Sequence, residues 1–123
     1  MLSIQQTNVL GQILDTSWGR SSEEFSCKAN LVGENTLRVM FSTVAYLASE
    51  AGLESQIPRL SEEANQIIKK CVSDCKNQYK DAVGEALNLK EVNQKDSVEY
   101  IQASYNNPRR VVLYRKFADF SIG

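Results

Sequence analysis

The sequence predicts an α+β domain. An antiparallel sheet of four to five strands, made of two β-hairpins, packs on one long helix in the order α-β-β-α-β-β. Three observations carry that expectation. Phe25 to Thr43 alternates apolar and polar side chains around a Gly33-Glu34-Asn35 turn, the period of a sheet with one buried face. Ser61 to Leu87 repeats apolar residues at steps of three and four, the period of an amphipathic helix. Val98 to Phe117 is rich in β-branched and aromatic residues, which suit a pleated surface. A small, strongly bent β-barrel with helices is the alternative arrangement of the same elements. The 123 residues fit a single domain spanning 1–123.

Ser3 to Asp15 places Ile4, Val9, Leu10, Ile13 and Leu14 near helical spacing. Ser3 is an N-cap candidate, and Gln6 completes a capping box. Thr16 to Ser22, which includes Trp18, reads as loop. In the first hairpin Phe25, Cys27, Ala29 and Leu31 share one face, as do Leu37, Val39, Phe41 and Thr43. Val44 to Leu47 extends the second strand, and Ser49 to Gln56 reads as a helical turn. Pro58 is expected to close that segment, because the residue before a proline is pushed away from α geometry.

Ser61 is expected to cap the long helix, with Glu62 and Glu63 at the positive end of its dipole. The apolar stripe runs through Ile68, Cys71, Val72, Cys75 and Tyr79 to Leu87, about 40 Å at 1.5 Å per residue. Gly84 breaks this helix, or its end reaches past the domain to a partner. Asn93 to Asp96 reads as a loop. Residues 98–105 and 109–117 form the second hairpin, with a short helix over 97–104 as the alternative. Paired around Asn106-Asn107, one face holds Val98, Tyr100, Gln102, Val111, Leu113 and Arg115. The other holds Glu99, Ile101, Ala103, Arg110, Val112 and Tyr114. Neither face is cleanly polar, so this hairpin is expected to be partly covered on both sides, by another subunit or by curling of the sheet.

Composition excludes several classes of function. With no histidine, a Ser-His-Asp triad, a Cys-His pair and an imidazole metal site are ruled out. A net charge of −1, from 14 basic and 15 acidic residues, argues against a surface built wholly for nucleic acid. The first residues carry no basic and apolar leader pattern, and no run approaches the length needed to span a bilayer. The expected setting is therefore cytoplasmic and reducing, with a virion component also compatible and no membrane partner.

Cys27, Cys71 and Cys75 are an odd set. Cys71 and Cys75 lie one turn apart on a helix, where Cβ atoms are about 5–6 Å apart. A disulfide wants about 3.8 Å. They are expected to be free thiols on an apolar stripe, where cysteine acts as a small hydrophobe. No cofactor or metal site is expected, and the absence of nucleotide-binding glycine patterns and of Gly-x-Ser-x-Gly argues against an enzyme.

The candidate binding residues are Arg109, Arg110, Tyr114, Arg115 and Lys116, the one dense basic and aromatic cluster, together with Trp18, the single tryptophan. Arginine and aromatic side chains on a sheet face stack on single-stranded bases while the charges hold phosphates. A loop tryptophan serves as an interface anchor or as a lid over the core.

The element order and acidic balance resemble secretion-chaperone-like domains, and a small α+β chain without enzymatic motifs is similar in kind to bacteriophage assembly proteins. These likenesses imply a non-enzymatic interaction or assembly protein acting as a homo-oligomer, with a protein partner possible. A small nucleic-acid-binding module using the hairpin 98–117 is the alternative.

Overall fold

A computed structural model describes residues 2–17, 20–21, 25–47, 50–101 and 110–123, with side chains at 2–15, 25–44, 55–99 and 112–123. The elements are α1 (Ile4–Ser17), β1 (Arg20–Ser21), β2 (Phe25–Leu31), β3 (Thr36–Leu47), α2 (Glu50–Val83), β4 (Leu89–Ile101) and β5 (Arg110–Ile122). With the two-residue β1 set aside, the order is α-β-β-α-β-β. All pairings are antiparallel, and the sheet runs β1-β2-β3-β5-β4. It is open, with β1 and β4 at its edges, so the barrel arrangement does not form.

The capping box at the start of α1 is made: the Gln6 amide donates to Ser3 Oγ at 3.1 Å, and the Ser3 amide donates to Gln6 Oε1 at 2.8 Å. Leu10 and Leu14 are buried against the sheet side of the core, whereas Ile4 is 83% exposed. In the first hairpin, Gly33 takes φ +92°, a left-handed conformation that suits a residue without Cβ. The Val32 amide closes the turn onto the Thr36 carbonyl at 2.8 Å.

The long helix differs from expectation at both ends. It begins at Glu50 and carries Pro58 inside it, so Pro58 does not close the preceding segment and Ser61 is not an N-cap. A proline here forfeits one helical hydrogen bond. Ile57 packs on Val112 and Leu60 is buried, and these apolar contacts offset that loss. At the other end Gly84 stops the helix at φ +77°, its amide donating to the Lys80 carbonyl at 2.7 Å. The helix therefore does not run past the domain through Leu87, which instead turns into the core.

The second hairpin is longer than predicted. Asn93 to Asp96 lies in β4, not in a loop, and β5 continues to Ile122. Strand rather than helix occupies 97–101; residues 102–109 are outside those described. Val98 pairs with Tyr114 and Tyr100 with Val112, one residue off the expected register. A one-residue slip moves a strand's side chains to the other face. Val98, Val112 and Tyr114 therefore share the helix side of the sheet, where Val112 and Tyr114 are fully buried. The core forms there, between Leu37, Val39, Phe41 and Phe120 of the sheet and Ala64, Ile68, Cys75 and Tyr79 of α2.

Candidate functional site

Strand alternation splits the predicted basic and aromatic cluster. Trp18 and Arg109 lie outside the described residues, and Arg110 is placed only by its backbone, opposite Leu47 at the start of β5. Tyr114 and Lys116 point toward the helices; Arg115 and Phe117 point to the opposite, outer face. Arg115 and Lys116 therefore lie on opposite faces of the sheet.

On the helix side Lys116 is 5% exposed. Its Nζ donates to Ser61 Oγ at 2.8 Å and pairs with Asp96 at 3.3 Å. Ser61 Oγ in turn donates to Asp96 Oδ2 at 3.4 Å. The Tyr114 hydroxyl is buried beside Ser61 and Asp96, and burial is the chief cause that pushes its phenol pKa up. A serine beside a lysine is formally a nucleophile and a base. Here Lys116 Nζ donates to Ser61 Oγ, and the serine hydroxyl donates to Asp96 and not to the lysine. The cluster instead fastens α2 to β4 and β5 through one satisfied buried charge. Sequence reasoning missed Ser61 and Asp96, because Ser61 looked like a helix cap and Asp96 like a loop residue.

The outer face is mixed. Arg38 forms a two-pronged pair with Asp119, Nε to Oδ1 at 2.8 Å and a terminal nitrogen to Oδ2 at 3.0 Å. Its guanidinium also sits 4.5 Å above the Phe117 ring, a cation–π distance. The Asp119 carboxylate raises the Arg38 pKa, and the Arg38 hydrogen bond lowers that of Asp119. Arg115 pairs with Glu99 at 3.6 Å. Between these pairs Met40 lies opposite Phe117 and Val44 opposite Leu113, and Val44 is 39% exposed. Among the described residues no helix packs on this side. Arg38 and Arg115 on this face are each matched by a carboxylate, while Lys28 and Lys95 lie in the row of Met40 and Phe117.

All three cysteines are buried and free. Cys27 on β2 meets Cys71 on α2, and their hydrogen bond is the chief cause that raises the Cys27 pKa. Burial pushes the Cys75 thiol up to about 11. Protonated thiols are neither nucleophiles nor metal ligands, and no metal-binding group of side chains occurs among the described residues. A groove of about 280 Å³ between α2 and β4 is lined by Asn65, Lys69, Glu91, Gln94 and Phe120 and gathers no catalytic set. No described helix is long and apolar enough to cross a membrane.

Comparison of the chain with protein families, with curated proteins and with solved structures finds no match. What fold and surface define is a class: an α+β domain whose antiparallel sheet is covered by helices on one face only.

Proposed function

We propose that this is a non-enzymatic interaction or assembly protein that works as a homo-oligomer, with the sheet as its contact layer. One observation carries the proposal: the sheet is one-sided, and the uncovered side holds Met40, Val44, Leu113 and Phe117 across its two central strands. An apolar stripe framed by charged pairs is the composition of a protein contact. A nucleic-acid module using the hairpin 98–117 is the weaker proposal, because Arg115 is already paired with Glu99 and both Tyr114 and Lys116 are buried. Size-exclusion chromatography with light scattering tests the proposal: an oligomer is expected at micromolar concentration, and a strict monomer overturns it.

A further inference from the structure

We propose that two copies of this chain join edge to edge through β4, antiparallel about a two-fold axis at Ser97, so that their sheets become one. This rests on the homo-oligomer proposed above and adds to the outer face a second contact, the open edge of the sheet.

β4 is a 13-residue edge strand. Its outer edge is a row of backbone donors and acceptors, a template for another strand. Natural edges are blunted by bulges, and β4 has one between Glu91 and Asn93. The bulge leaves Asn93 to Ile101 as the regular stretch, and Ser97 is its midpoint. Restricting pairing to that stretch favours a closed pair of chains.

Charge selects the same centre. Antiparallel strands related by a two-fold axis keep their faces, so a residue pairs only with one on the same side of the sheet. A centre at Lys95, Asp96 or Glu99 sets that residue against its own copy, like charge against like. A centre at Val98 makes no ion pair. A centre at Ser97 sets Lys95 opposite Glu99 twice, once on each side of the axis. Glu99 already holds Arg115 at 3.6 Å, so each pairing extends into a row of Lys95, Glu99 and Arg115 on the outer face. The helices leave room, since α2 packs over β3 and β5.

The test is a Ser97→Cys variant of the full chain. Directly opposed residues of antiparallel strands lie about 4.5–5.5 Å apart at Cα, within disulfide reach. Two thiols then give one disulfide, their two protons and two electrons passing to added diamide. A covalent dimer is expected within minutes, while Lys28→Cys, on β2 near the far edge, stays monomeric on a denaturing gel. Lys95→Glu sets like charges opposite at both pairs and is expected to weaken dimerisation about tenfold, with an unchanged circular dichroism spectrum. A dimer that Ser97→Cys does not cross-link, or that Lys95→Glu leaves equally tight, overturns the β4 interface and spares the homo-oligomer. A strict monomer overturns both.

Discussion

Two charged pairs sit on opposite faces of β5, and their burial assigns them different work. Asp119 is nearly buried and accepts two hydrogen bonds from Arg38, whose side chain is 37% exposed. Its folded pKa lies below its ordinary value of 3.8. A depressed acid contributes stability that is present above the unfolded pKa and is lost as pH falls from there through the folded one. Acid unfolding should therefore steepen below about pH 4 in the native chain. Asp119→Asn should lower the melting temperature at neutral pH and flatten that acid limb, as circular dichroism melts across pH would read. A limb of unchanged slope would mean that the pair adds no stability.

Lys116 poses the opposite problem, a cation inside the helix-facing layer. Truncation to alanine removes the partner of Ser61 and Asp96 and opens a gap beside Tyr114, which should cost about 1–3 kcal/mol in denaturant unfolding. Lys116→Met keeps the aliphatic stem, and the half-exposed Asp96 can turn to water, so it should cost less than alanine. Equal losses would show that the stem adds nothing to the fastening that the charge provides.

At the scale of elements, much of the fold is legible in local pattern. The first hairpin is legible because its core face is apolar at every second residue from Phe25 to Leu31 and from Leu37 to Phe41, and its other face, Met40 apart, is polar over the same span. The start of α1 is legible because a capping box is a contact between residues three apart. Three features are not. Pro58 lies within a helix because Ile57 and Leu60 find apolar partners far along the chain, which no local rule weighs. Asn93 to Asp96 are polar on both faces and look like a loop; they are strand because β5 supplies a ladder of backbone partners at an edge where side chains need not be buried. The register of the second hairpin turned on a single residue, and with both faces of mixed composition the pattern could not choose. That ambiguity also hid the site, since it left open which face of β5 turns inward, and the structure buries Tyr114 and Lys116. Gly84, by contrast, is a stop signal that sequence does show. Nothing lies within 4 Å of a Cβ built there, so the cost of Gly84→Ala is that of the left-handed backbone alone, about 1 kcal/mol. Thermal melts should register it, and a neutral result would place the helix stop elsewhere.

At the scale of the whole molecule, the helices and the sheet are mismatched in coverage rather than in length. The 34 residues of α2 span about 51 Å, and the 13 residues of β5 span about 43 Å. The helix packs on β3 and β5 and protects one face of the sheet. The other face and the β4 edge have no counterpart within the described chain. Hydrophobic burial favours covering Met40, Val44, Leu113 and Phe117, and self-association is the proposed means of doing so. The central claim is that this domain is completed by self-association, and sedimentation equilibrium over the micromolar range tests it most directly. The expected result is a mass that climbs with concentration from the 13.8 kDa of one chain toward twice that value. A mass fixed at one chain throughout that range would contradict the account.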